Sequence, residues 1–146
     1  MKDLEKLAEE QGWFYAISHH DLTEELIEKY NINFNDACWE YITEHNPSIN
    51  IIRKYKDKLN WITLTDRYNI NDEFVEEFND YIDWYIVPFN MNISEEIIDK
   101  YSNRIDWDRL LEQYQKDSQY ISFDDKTCKR FKKFMYKYCK SIRDNL

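Results

Sequence analysis

The sequence predicts an all-α protein, a small α-solenoid of about four two-helix repeats with a capping helix at each end. The five tryptophans stand at positions 13, 39, 61, 84 and 107, so their spacings are 26, 22, 23 and 23 residues. Residues 70–84 and 93–107 repeat the same order of apolar, capping and acidic residues. The chain holds one glycine and two prolines in 146 residues, which disfavours the tight turns of all-β folds.

The first capping helix is predicted over residues 1–12. Asp3 is suited to cap its N-terminus, and Gly12 suits the position after its last turn, where a left-handed backbone is common. Leu4, Leu7 and Ala8 fall on one face, which we expect to cover the first end of the stack.

Residues 13–115 carry the repeats, and each repeat is predicted to open with a short helix, helix A, around its tryptophan. Helix A should bury the tryptophan and an apolar residue three or four positions later. These apolar residues are Ile17, Ile42, Leu64, Val87 and Leu110. Pro88 predicts that one helix A is short or kinked, because proline lacks a backbone N–H and clashes with the preceding turn.

A second short helix, helix B, is predicted to follow in each repeat. Its capping residues are Thr23, Ser48, Asn71 and Ser94. An apolar pair follows each cap: Leu26 and Ile27, Ile51 and Ile52, Phe74 and Val75, Ile97 and Ile98. Because isolated helices of this length are marginal in water, neighbouring repeats must supply the burial that stabilises them.

The last predicted element is a basic capping helix over residues 123–146, which completes a single domain of residues 1–146. Cys128, Phe131, Phe134, Met135 and Tyr138 form its apolar stripe. Its basic residues are Lys126, Lys129, Arg130, Lys132, Lys133, Lys137, Lys140 and Arg143. This basic face either binds phosphates or a membrane surface, or pairs with acidic residues of the chain itself.

Charge limits the expected partners and location. The net charge is −9, and residues 1–120 hold 12 basic and 26 acidic side chains. Such a body disfavours direct binding to nucleic acid or to a membrane and favours a protein with a basic surface. Residues 1–10 contain no apolar signal segment, so we expect a cytoplasmic protein whose three cysteines are free.

Rows of acids on the B helices are the predicted partner-binding site. They comprise Glu24, Glu25, Glu28, Asp72, Glu73, Glu76, Glu77, Glu95, Glu96 and Asp99. Stacked repeats would align them about 10 Å apart, so the rows could imitate a phosphate backbone. The alternative is that they complement helix N-termini and keep the surface soluble. The second repeat interrupts the rows with Asn50, Arg53 and Lys54.

No cofactor, metal site or catalytic site is predicted. His19 and His45 each stand six residues after a tryptophan, and with Cys38 they could approach a zinc ion, but their spacing matches no zinc motif. The sequence has no glycine-rich phosphate loop and no nucleophile turn. We therefore predict a non-enzymatic protein, with an uncatalogued enzyme as the remaining alternative.

The segment Ile93, Ser94, Glu95, Glu96, Ile97, Ile98, together with the closing Ile105, Asp106, Trp107, resembles short tandem helical repeats of bacteriophage and large DNA virus proteins. Residues 22–27 contain a further copy, and the resemblance covers residues 13–114. It implies an α-solenoid used for protein binding. A viral or mobile-element origin would make the chain an inhibitor of a host protein complex, acting in the host cytoplasm. The more specific alternative is an acidic mimic that blocks a nucleic-acid-binding defence complex. The oligomeric state stays open.

Overall fold

The computed structural model describes residues 3–117 and 125–144. All regular secondary structure in these residues is helical, as the sequence predicts, and none of it is a strand. The helices are α1 (Leu4–Gln11), α2 (Trp13–Ser18), α3 (Glu24–Tyr30), α4 (Asp36–Glu44), α5 (Ile49–Tyr55), α6 (Trp61–Arg67), α7 (Asp72–Glu77), α8 (Glu95–Lys100), α9 (Trp107–Asp117), α10 (Asp125–Tyr138) and α11 (Lys140–Arg143). Single 3-10 turns occupy Asn31–Asn33, Val87–Phe89 and Ser102–Arg104.

The chain divides into two compact units, Met1–Tyr68 and Asn69–Leu146. The first unit contains α1 to α6 and buries Leu4, Leu7, Ile17, Ile27, Ile42, Ile51, Ile52 and Leu64. The second unit contains α7 to α11 and buries Ile70, Val75, Ile93, Ile98, Trp107, Leu110, Phe131 and Phe134. Each unit therefore has an apolar interior of its own, built from residues that the repeat and cap patterns predict. The predicted burial of Trp13, Trp61 and Trp84 is wrong, because these three side chains are only half-buried.

The predicted caps of the B helices are confirmed. Thr23, Ser48, Asn71 and Ser94 each accept a hydrogen bond through the side-chain oxygen from the amide three residues later. The distances are 3.1, 3.3, 2.9 and 3.3 Å in that order. Helices α7 and α8 have only six residues each, and in each of them the cap satisfies one of the N-terminal amides that lack a partner within the helix.

The A helices differ in length, and the difference follows the predicted effect of Pro88. Asn60 caps α6, and Asp106 accepts from the amide of Arg109 at the start of α9. After Asp83, by contrast, the chain forms a turn followed by the 3-10 turn Val87–Phe89. The proline stands inside that 3-10 turn, where no α-helix could continue through it.

Each unit also uses the tryptophan indole in a recurring local contact. Trp61, Trp84 and Trp107 donate from Nε1 to the carbonyl five residues earlier, at 2.7, 3.1 and 2.9 Å. At Trp61 and Trp107 this bond ties the start of an A helix to the segment that ends the preceding repeat, and at Trp84 it ties a turn to the segment that follows α7. These three tryptophans therefore join successive repeats through a hydrogen bond as well as through their rings.

The basic C-terminal helix differs from the prediction of one element over residues 123–146. Residues 123 and 124 lie outside the described residues, and the helical path breaks at Cys139, which separates α10 from α11. Cys139 is fully buried in an extended conformation, and its thiol lies 3.0 Å from Asp108 Oδ1. The basic segment therefore forms two helices among the described residues instead of one.

Candidate interaction surfaces

The acid rows of the B helices form a recurring set of intramolecular contacts. A carboxylate near the end of one B helix accepts from the lysine of a Lys-Tyr pair in a later helix. Lys54 donates to Glu28 at 2.9 Å, and Lys100 donates to Glu76 at 2.5 Å. Helix α10 supplies the last lysine, because Lys137 donates to Asp99 at 2.7 Å. We call each such contact a rung.

The tyrosine of the Lys-Tyr pair joins several rungs. Tyr101 donates to Glu76 at 2.6 Å, and Tyr138 donates to Asp99. In α1, Glu5 accepts from Tyr30 at 2.7 Å and lies 3.6 Å from the ammonium of Lys29. The carboxylates of these rungs therefore bind residues of the chain itself rather than facing solvent alone.

The rungs shift the acid–base equilibria of their members. The Lys100 hydrogen bond, followed by the Tyr101 hydrogen bond, holds the pKa of Glu76 below its ordinary value. Hydrogen bonds from Lys137 and Tyr138 likewise lower the pKa of Asp99. Correspondingly, its bond to Glu76 raises the pKa of Lys100. In the Glu76–Lys100 and Asp99–Lys137 rungs, the pKa shifts of both partners therefore favour the charged forms.

Two more of the predicted acids have internal partners. Glu95 accepts from Lys133 of α10 at 2.6 Å, and Asp72 accepts from the backbone amide of Ser94 at 2.8 Å. Glu28, Asp72, Glu76, Glu95 and Asp99 therefore stabilise the chain's own structure. Glu77 also has an internal contact. The acids Glu24, Glu25, Glu73 and Glu96 are exposed and have no ion pair among the described residues.

The interruption of the rows in the second repeat follows a charge pattern in the sequence. Arg53 stands where the other repeats have the rung carboxylate, and Glu77 stands at the lysine position of the following repeat. Each of these two positions therefore carries the charge opposite to that of its counterparts in the other repeats.

A cluster of aromatic and histidine side chains lies on α2 and α4, on the solvent side of the first unit. It consists of Phe14, Tyr15, His19, Tyr41 and His45, which we call the aromatic cluster. Phe14 is 47% exposed and Tyr15 is 41% exposed. Phe14 packs edge-on against Tyr41, with ring centroids 6.0 Å apart. The predicted acid rows do not include this surface.

The two histidines of the cluster adopt the same arrangement. His19 lies against the ring of Tyr15, and His45 lies against the ring of Tyr41, each with centroids 3.9 Å apart. The Nδ1 atoms lie 2.8 and 2.7 Å from the carbonyl oxygens of the same tyrosines. Since a carbonyl only accepts, Nδ1 carries the hydrogen, and Nε2 of the neutral ring is left as an acceptor.

His19, His45 and Cys38, the three residues that could approach a zinc ion, have different environments in the structure. Cys38 is fully buried, whereas His19 and His45 are exposed and use Nδ1 internally. Burial raises the pKa of the Cys38 thiol, which opposes formation of the thiolate that zinc binds. Among the described residues, no group of histidine, cysteine and acidic side chains could hold a metal ion.

The basic helix α10 packs against its own acidic unit. Lys133 and Lys137 pair with acids of α8, and Arg130 is buried. Lys126, Lys129, Lys132 and Lys140 are exposed. The side chain of Arg143 lies outside those that the structure describes. Of the two predicted uses of this helix, pairing with the chain's own acids accounts for two of its lysines.

Comparison with known proteins does not indicate a function. A scan against protein-family models, a search of curated proteins and a search of solved structures each found no match. Within the described residues, no helix is both long enough and apolar enough to cross a membrane. The function must therefore be argued from the surfaces described above.

Proposed function

We propose that the chain is a non-enzymatic protein-interaction module that binds a partner through the aromatic cluster of its first unit. The observation that carries this proposal is the exposure of Phe14 and Tyr15 on a helical face of a strongly charged protein. Aromatic side chains are enriched where proteins bind one another, because they bury a large area at a small entropic cost. The described grooves are open to solvent, which favours binding over enclosed chemistry.

The surface suits a partner segment that carries arginine. The net charge of −9 attracts a basic partner, and Nε2 of a neutral His19 or His45 ring can accept a hydrogen bond when Nδ1 donates to the backbone. The chain already uses cation–π contacts, since the Arg109 guanidinium lies 5.0 Å from the ring centroid of Tyr85. An arginine of a partner could lie over Tyr15 or Tyr41 in the same way.

The test compares a cluster variant with a matched exposed variant. Phe14→Ala with Tyr15→Ala removes the two exposed Phe and Tyr rings of the cluster, whereas Ile32→Ala removes an 88% exposed apolar side chain elsewhere in the same unit. A peptide of alternating arginine and glycine, titrated by NMR, should shift the Tyr41 and His45 signals of the wild type. We expect the double variant to bind at least about tenfold more weakly. Equal affinity of the double variant, or equal loss in Ile32→Ala, would contradict the proposal.

We further propose that the repeats stack as an α-solenoid and that the protein acts on a host complex in the cytoplasm. The recurring caps, indole bonds and rungs support the first part. The resemblance to repeats of phage and large DNA virus proteins supports the second. Circular dichroism and small-angle scattering of the full chain would test the elongated shape that a solenoid requires.

An acidic mimic of nucleic acid is a second candidate, which the exposed and unpaired Glu24, Glu25, Glu73 and Glu96 favour. Reversing Glu73 and Glu96 to lysine should abolish binding to a basic nucleic-acid-binding protein if the chain is a decoy. Reversing Asp72 or Glu76 would be a poor test, because both have internal partners. Loss of binding only in the aromatic variant would exclude the decoy and favour the first proposal.

A further inference from the structure

Arg130 of α10 is a buried cation whose hydrogen-bond partners are all neutral. It is 8% exposed. One terminal nitrogen donates to the carbonyl of Ile93, the other lies 3.7 Å from the sulfur of Met91, and Nε has no partner among the described residues. Burial lowers the pKa of Arg130, and the charges of Glu95 and Asp72 offset only part of that effect. A buried guanidinium normally bonds an anion, because burying a charge without one costs free energy.

Arg130 lines an open groove of about 390 Å³. The groove is lined by Met91, Glu95, Lys126, Lys129, Arg130 and Lys133. Lys133 is paired with Glu95. Lys126 and Lys129 are exposed and have no ion pair among the described residues.

The three lysines lie on one side of α10. Their positions, 126, 129 and 133, differ by three and four residues, which places successive side chains on one helical face. With Arg130 they supply four positive charges against the single carboxylate of Glu95, so the groove is positive within an acidic protein. Lysine ammonium groups and a planar guanidinium together suit an anion with several oxygens.

We propose that this groove binds a small phosphate-bearing anion, with the phosphate between Lys126, Lys129 and the buried guanidinium of Arg130. A phosphate oxygen would replace the weak sulfur acceptor of Met91 and supply the missing anionic partner. The groove has the volume of a small-molecule site. A long nucleic acid would instead meet the acids of the same chain, which repel it. This inference does not rest on the proposed protein partner.

The experiment titrates inorganic phosphate and pyrophosphate into the full chain at low salt, with 13C-labelled methionine methyl groups observed by NMR. Met91 lies in the groove and is 47% exposed, whereas Met135 is buried in the same unit. We expect a saturable shift of the Met91 methyl and none of Met135. Tighter binding of pyrophosphate would show that the groove accommodates a diphosphate group, and equal binding would show that it contacts a single phosphate.

Variants decide whether the groove is responsible. Lys126→Gln with Lys129→Gln should weaken pyrophosphate binding by about tenfold or more, because each lost charge-assisted hydrogen bond is worth on the order of tenfold. Lys132→Gln is the matched control, since this exposed lysine of α10 lies outside the groove. A wild type without a saturable Met91 shift at millimolar pyrophosphate would overturn the proposal. An equal loss in Lys132→Gln would also overturn it, because it would indicate diffuse charge attraction.

Discussion

At the scale of single residues, the tryptophans that define the repeat have two different roles. Trp39 and Trp107 are similarly buried, 5% and 6% exposed, and each packs against neighbouring aromatic rings. Only Trp107 of this pair has an indole hydrogen bond among the described residues, to the carbonyl of Ser102. The sequence spacing predicts burial for both residues. It could not distinguish their hydrogen bonds, because the acceptor is a backbone carbonyl whose position depends on the preceding turn.

This difference gives a paired test. Trp107→Phe should lower the free energy of unfolding by about 1 kcal/mol more than Trp39→Phe, because it also removes the only observed indole bond of the pair. Denaturant titration followed by circular dichroism measures both variants. Equal destabilisation would show that the indole bond adds nothing to the packing of the ring.

At the scale of helices, the sequence predicted the starts better than the ends. A cap is a local event, in which the oxygen of Asn71 or Ser94 reaches an amide three residues later. The break at Cys139 was missed because no glycine or proline marks it in the sequence, and the thiol contact with Asp108 joins residues that are 31 positions apart. The aromatic cluster was also missed. Phe14 directly follows Trp13, and Tyr41 stands two residues after Trp39, so both lie beside tryptophans of the repeat pattern.

The cap of α8 can be tested directly. Ser94→Ala should destabilise the protein by about 1 kcal/mol, because it leaves the amide of Ile97 without its side-chain acceptor in a six-residue helix. Ser102→Ala is the control, since the Ser102 hydroxyl has no hydrogen bond among the described residues. Thermal unfolding of the two variants compares them. A loss in Ser102→Ala as large as that in Ser94→Ala would refute the cap as the cause.

At the scale of the whole molecule, charge is used internally more than the composition suggests. Each unit contains rungs: Glu28 with Lys54 in the first, and Glu76 with Lys100 in the second. The sequence carried a signal for them in its four Lys-Tyr pairs, at 29–30, 54–55, 100–101 and 137–138. The acids alone could not reveal it, because a single sequence shows which charges exist but not which later helix brings the opposite charge near.

Because of the rungs, we expect the stability of the protein to decrease at low pH. Glu76 and Asp99 have depressed pKa values in the folded state, from ordinary values of 4.5 and 3.8. Their contribution is therefore fully present above about pH 4.5 and is lost as the pH falls through the folded-state pKa values. The raised pKa of Lys100 adds a second limit, because its contribution is lost as the pH rises above its ordinary value of 10.5.

The contribution of the Glu76–Lys100 rung can be measured by comparing the stabilities of the wild type, Glu76→Gln and Glu73→Gln at pH 7 and pH 3. Glu76→Gln should lose stability at pH 7 and show a smaller decrease between pH 7 and pH 3 than the wild type, because its rung no longer titrates. Glu73 lies on the same helix and has no ion pair among the described residues, so the control Glu73→Gln should keep the wild-type pH dependence.

Denaturant unfolding at both pH values, repeated at 0.5 M salt, measures the free energy of unfolding of each protein. Salt should reduce the difference between wild type and Glu76→Gln, since both partners of the rung are largely exposed to solvent. If Glu73→Gln and Glu76→Gln behave alike, the acids act only through net charge and the rungs have no structural role.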